Sequence, residues 1–129
     1  MLHPKMDIID YLFLEKQYDI IITKKKSSCI LPFCDILVSY GSSICFWAPH
    51  ANVISINVKL INEVEEFSYL DSTYVANSEK DYRNYLSDLI NDNEIYAEAS
   101  ERVANDAKKF RPLDGRNSIR YTSLYQPMT

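Results

Sequence analysis

The feature of this sequence that most restricts its fold is a change of hydrophobic period partway along the chain. In the first half, apolar residues gather in short β-branched runs: Asp19–Thr23 (DIIIT), Asp35–Tyr40 (DILVSY) and Asn52–Val58 (NVISINV). Continuous apolar runs bounded by polar residues fit strands buried on both faces. In the second half the spacing becomes helical. Ser78 and Asp81 form an S-x-x-D capping pattern, and Tyr82, Tyr85, Leu86, Leu89 and Ile90 then fall on one helical face. Ile95, Ala99, Val103, Ala107 and Phe110 mark a second stripe. Glu94 and Glu98 stand near its start and Lys108 and Lys109 near its end, as the helix dipole favours, and Pro112 stops it. The pattern predicts helices over Ser78–Asn91 and Glu94–Phe110, a first helix over Ile8–Glu15 and a last one over Asn117–Tyr125. It also predicts Ile20–Thr23, Ile36–Ser39 and Val53–Ile56 as neighbouring parallel strands. Strands separated by crossovers give an α/β fold with helices packed on the sheet.

The chain's 129 residues fit a single domain, residues 1–129, and its 47% apolar content is enough for a core. A three-stranded sheet is thin for this class, so the domain is expected to be incomplete. No apolar run reaches the roughly 18 to 20 residues that span a bilayer, and His3, Pro4, Lys5 and Asp7 interrupt any signal-peptide pattern. The expected location is the cytoplasm, with a peripheral position at the inner face of the membrane as a variant. The net charge of −4 argues against a nucleic-acid partner. One basic run, Lys24-Lys25-Lys26, reads either as a solvated loop or as an attractor of phosphates or an anionic membrane surface. Cys29, Cys34 and Cys45 match no disulfide or zinc spacing, and the two histidines, His3 and His50, are too scattered to complete a metal site. The cysteines are expected to be free thiols in apolar positions, and no metal or cofactor is implied.

The stretch richest in chemistry is Leu31–Asn57. The run DILVSY leads into Gly41-Ser42-Ser43, and a short helix over Ser43–Ala48 leads on to the next strand. Gly41 is one of two glycines in the chain and allows a tight turn with close approach of a ligand to the backbone. Ser42 and Ser43 add hydroxyl groups where helical N–H groups point outward. These features together make an anion site at the C-terminal end of a parallel strand, with phosphate the usual occupant. The plain alternative is that Ser43 is a helix cap. Phe46 and Trp47 read as core residues more readily than as a base-stacking platform, and His50 as a surface or cap residue more readily than as one lining the cleft.

These residues also carry a family resemblance. Asp35-Ile36-Leu37-Val38-Ser39-Tyr40-Gly41-Ser42-Ser43 resembles the strand-to-loop motif of the C-terminal, donor-binding domain of GT-B glycosyltransferases that build surface polysaccharides, and of CDP-glycerol glycerophosphotransferases. The next strand, Asn52–Ile56, the opening His3-Pro4 pair, and the helix EIYAEASERVANDAKKF with Asp114-Gly115 and Arg120 fit the same order. The resemblance implies a partial Rossmann-like sheet forming the C-terminal half of a GT-B fold. It also implies that His3, Gly41, Ser42 and Ser43 contact the phosphates of a nucleotide-activated sugar or polyol donor. The acceptor site and catalytic base would lie on a separate N-terminal domain, so the chain alone is expected to be inactive and to rely on that domain or on a homo-oligomer partner. One departure is the absence of any acidic residue between Asp35 and Glu63, where many such enzymes hold the donor ribose. Two other readings stay open: a phosphate-binding α/β module without catalysis, and an unrelated flavodoxin-like or response-regulator-like protein. The second of these usually clusters acids at strand ends, whereas Asp19 and Asp35 stand at strand starts.

Overall fold

The structure, a computed structural model, describes residues 5–59 and 70–109. The described chain begins with a 3-10 turn at Ile9–Tyr11, continuous with helix α1 (Leu12–Tyr18), and a short helix α2 (Ser27–Ile30). Strand β1 (Ile36–Ser39) is succeeded by 3-10 turns at Ser43–Phe46 and Pro49–Ala51. Strands β2 (Ile54–Val58) and β3 (Thr73–Ala76) come next, then helices α3 (Glu79–Asn91) and α4 (Asn93–Lys109). The strands form one parallel sheet in the order β1-β2-β3, giving a partial Rossmann-like α/β arrangement with flanking helices.

The register explains how the two sheet faces divide. Ile36 pairs with Ile54, and Val38–Ile56 and Ile56–Tyr74 are also partners, so these side chains share a face. Ile54, Ile56 and Ala76 pack there with Leu89 of α3 and Ala99 and Val103 of α4. Each fully buried Ile, Leu or Val of this cluster is worth about 1.5–3 kcal/mol. The opposite face carries Leu37, Ser39, Ser55, Asn57 and Thr73, and is covered by the segments joining β1 to β2. Leu37 packs with Leu31, Ala48 and Val53 and with Cys45 and Leu70. Its polar groups are paired within the protein: the Ser55 and Thr73 hydroxyls lie 2.8 Å apart, and Ser39 Oγ lies 2.9 Å from Cys45 Sγ.

The strand assignment differs from the sequence expectation in one member. Ile20–Thr23 is not a strand. Asp19 closes α1 in the left-handed conformation, at φ 50°, and the Ile22 N–H donates to Glu15 Oε1 at 2.7 Å instead of to a neighbouring strand. Ile21 is 87% exposed. The third strand is Thr73–Ala76, on the other side of β2. β1 is therefore an edge strand: among the described residues it pairs only with β2, and Val38 is 43% exposed because α3 and α4 cover β2 and β3. β3 likewise pairs only with β2 among the described residues, so the sheet has two edges, β1 and β3.

Both long helices form where the period placed them. Ser78 caps α3 by accepting the Asp81 N–H at 3.0 Å, and Asp81 Oδ2 in turn accepts the Asn77 N–H at 3.2 Å. Asp92 Oδ1 accepts the N–H groups of Glu94 and Ile95, at 2.9 and 3.1 Å, and so starts α4 immediately after α3 ends. The first helix runs from Leu12 to Tyr18 after its 3-10 turn, later than Ile8–Glu15. The expected helix over Asn117–Tyr125, Asp114-Gly115 and Arg120 lie outside the described residues. Among the described residues no helix is long and apolar enough to cross a membrane.

Candidate functional site

The loop after β1 is held from below by a buried side chain of the central strand. Gly41 sits at φ 58°, a conformation that disfavours any residue with a Cβ, and its N–H donates to Asn57 Oδ1 at 2.9 Å. Asn57 is 0% exposed, so its amide is fixed by packing and fixes the loop in turn. Beyond Gly41, Ser42 is extended and acts as the cap of the next turn, accepting the Ile44 N–H through Oγ at 3.4 Å. The cap is Ser42, one residue earlier than the Ser43 cap considered from sequence. The capped element is a single 3-10 turn, Ser43–Phe46, shorter than the helix expected over Ser43–Ala48. One turn brings little dipole, so an anion held here depends on side chains more than on a helix start. Ser42, using one lone pair for the cap, keeps its O–H free to donate outward. Ser42 and Ser43 are both exposed.

A second segment completes the site. After α1 the chain turns at Thr23, whose Oγ1 accepts the Lys25 N–H at 3.1 Å, and passes through Lys24, Lys25 and Lys26 into α2. Leu31, just beyond α2, is buried in a cluster with Ala48 and Val53, and Ile44 packs against that cluster. That apolar contact holds the lysine segment against the serine loop. Between them lies a cleft of about 420 Å³, with Leu31 and Ile44 among its apolar lining. The three lysines, Ser27, Ser28, Ser42, Ser43 and Trp47 make up the rest. The volume falls in the range of small-molecule sites, about 300–1,000 Å³.

The electrostatics of this cleft are one-sided. Among the described residues its lining includes three lysines and four serines, with no Asp, Glu or His. Between described residues, ion pairs join Arg83 to Glu79 and Lys109 to Asp71 and Asp106; none engages Lys24, Lys25 or Lys26. In a chain of net charge −4, a local excess of positive charge at the end of a parallel strand suits a phosphorylated ligand. Charge-assisted hydrogen bonds and hydroxyl donors can neutralise and orient such a group. Among the described residues the lining offers no carboxylate or imidazole to move a proton.

Of the residues singled out from sequence, Gly41, Ser42 and Ser43 come together at the strand end. Ser42 and Ser43 line the cleft, and Gly41 shapes the loop that carries them. His3 lies outside the described residues. The lysine run is an exposed loop segment that also lines the cleft. Trp47 is 53% exposed and faces the cleft instead of filling the core, whereas Phe46 is partly buried against Cys45 and Leu70. His50 is partly buried, its ring 6.5 Å from that of Trp47. The signal for the full lining was present in the sequence as two Ser-Ser pairs, Ser27-Ser28 and Ser42-Ser43, the first of them directly after the lysines.

The other ionisable features are structural. All three cysteines are free: Cys29 is exposed, Cys34 half-buried and Cys45 buried. Burial pushes the Cys45 thiol up, against smaller opposing effects of the hydrogen bonds with Ser39 and Ser55, so it stays protonated and unreactive. Asp106 is fully buried on α4; its Oδ2 accepts the Ser72 N–H at 2.7 Å, and its Oδ1 lies 2.9 Å from Lys109 Nζ. Burial alone would raise the Asp106 carboxyl, but the contacts from Ser72 and Lys109 outweigh it and hold it below its ordinary range. Among the described residues no group of three His, Cys, Asp or Glu side chains could hold a metal ion. Comparisons of this chain with protein-family models, with curated proteins and with solved structures find no match.

Proposed function

We propose that this chain binds the phosphates of a nucleotide-activated sugar or polyol donor, as the donor-binding part of a transferase that builds a surface glycan or polymer. The observation that supports the phosphate reading is the cleft lined by Lys24–Lys26 together with Ser42 and Ser43 at the C-terminal end of β1, with no acidic side chain among its described lining residues. The transferase reading adds the motif order of the sequence, from Asp35–Ser43 through Asn52–Ile56 to the closing helix. In this reading the lysines neutralise the diphosphate, the serine hydroxyls orient it, and Gly41 lets the loop approach it. The test is calorimetric titration with CMP, CDP, UDP and GDP. The diphosphates bind, and replacing Lys24, Lys25 and Lys26 together by Ala weakens them at least tenfold while leaving the thermal midpoint nearly unchanged, because the lysines are exposed. Ser43→Ala weakens them by about 1 to 2 kcal/mol, the scale of one hydrogen bond to a charged group. Affinity unaffected by all four changes would overturn the assignment.

A second reading, a phosphate-binding α/β module with no transfer chemistry, is favoured by one observation: among the described residues the cleft wall holds no carboxylate or imidazole. Both readings predict that the isolated chain consumes no nucleotide sugar or CDP-glycerol. They part when a Rossmann-like N-terminal domain is supplied, which restores turnover only if the chain is a donor half. Acceptor-dependent turnover by the chain alone, lost when Ser42 and Ser43 become Ala, would contradict both.

A further inference from the structure

We infer that Trp47 is the surface on which the cleft stacks a nucleobase, so that its occupant is a nucleoside diphosphate group and not a bare phosphate or pyrophosphate. This rests on the phosphate reading of the cleft. Trp47 is the chain's one tryptophan, and its position is unusual for so large an apolar side chain. It ends the Ser43–Phe46 turn, and its N–H donates to the Ile44 carbonyl at 3.0 Å. Cys45 and Ala48, close to it along the chain, are fully buried, which anchors the backbone on both sides. The indole itself remains 53% exposed and lines the same cleft as the lysines. The His50 ring lies 6.5 Å away at 48°, a tilted neighbour that leaves the indole partly open.

Two parts of the lining therefore differ in kind. The lysine and serine groups suit a compact polyanion, and a flat, partly solvated indole suits a flat, weakly polar ring. A nucleoside diphosphate joins these two chemistries in one molecule, and the cleft's volume of about 420 Å³ leaves room for more than an isolated phosphate group. Stacking on an aromatic ring tolerates any base, because every base presents a π-face. Trp47 thus supplies affinity for a nucleotide without choosing among bases.

The experiment titrates the full chain with pyrophosphate and with UDP, CDP and GDP by calorimetry, and tracks Trp47 fluorescence in parallel. The three nucleotides bind roughly tenfold or more tightly than pyrophosphate, as expected for one stacked base. They quench the single indole, and pyrophosphate does not. Trp47→Ala brings nucleotide affinity down to that of pyrophosphate and leaves pyrophosphate binding unchanged, which also shows that the variant is folded. Trp47→Phe keeps most of the preference and serves as the folded control should Trp47→Ala lose its structure. Equal binding of pyrophosphate and nucleotides, or a nucleotide preference that survives Trp47→Ala, overturns the stacking role while the phosphate cleft stands. Absence of binding by pyrophosphate and nucleotides alike overturns the cleft reading, and the stacking role with it.

Discussion

At the scale of single residues, the geometry of the loop rests on the pairing of Gly41 with Asn57. The Asn57 amide is buried in the central strand and receives the Gly41 N–H across the gap between β1 and β2. Asn57→Ala leaves that N–H without its partner and opens a void below the loop, so urea denaturation should show a loss of about 1–3 kcal/mol. Gly41→Ala forces a Cβ into the left-handed region and costs about 1–2 kcal/mol. Both changes should weaken UDP binding although neither side chain lines the cleft, because the serine loop loses its fixed position. Burial governs Cys45 in the same way. Its raised thiol and full enclosure predict that a thiol reagent labels exposed Cys29 in the native protein and reaches Cys45 only on unfolding.

At the scale of elements, the helices depend on caps and on one buried carboxylate. Ser78→Ala removes the acceptor of the Asp81 N–H and should lower stability by about 1 kcal/mol, readable as a shift in the urea midpoint. Asp106 ties α4 to the segment entering β3 through the Ser72 N–H, while Lys109 reaches both Asp106 and Asp71. Its folded-state pKa lies below the ordinary carboxylate value of about 3.9. The stabilisation from ionised Asp106 is therefore complete above that pH, and it is lost as pH falls through the lower folded value. Acid titration of stability should show a decline below about pH 4 that Asp106→Asn reduces, with little difference in slope between the two proteins from pH 5 to 7.

At the scale of the whole molecule, charge and coverage are unevenly spread. The net charge is −4, yet the described lining of the cleft holds three lysines and no acid. Binding of a diphosphate there should weaken as ionic strength rises, since exposed charges are screened within about 10 Å at 0.1 M salt. Titrations of UDP at 50 and 500 mM sodium chloride check this, and an affinity insensitive to salt would argue against the lysines as ligands. The sheet is also unevenly covered. α3 and α4 protect β2 and β3, and the helix face of β1 stays open at Val38. Ile9, Phe13 and Ile21 are exposed near the start of the chain. Polar substitution of Ile21 should therefore leave the thermal midpoint nearly unchanged.

The sequence by itself determined α3, α4 and two of the three strands. A helix closes its hydrogen bonds within four residues, so the 3.6-residue stripe and the Ser78–Asp81 cap carry the information locally. The runs around Ile36–Ser39 and Ile54–Val58 combined β-branched content with turn residues on each side, and Gly41-Ser42-Ser43 marked the loop between them. The tertiary structure alone decided the third strand. DIIIT is more apolar than TYVA, but a strand's hydrogen bonds are made by a distant segment. Thr73–Ala76 found a partner in β2, whereas the Ile22 N–H bonded back to Glu15. It also decided the cleft, because Lys24–Lys26 and Trp47 come to line one cleft only when Leu31, Ala48 and Val53 cluster with Ile44 packed against them. Which face of an aromatic residue stays open depends on everything folded around it, and no local pattern distinguishes the half-exposed Trp47 from a core residue.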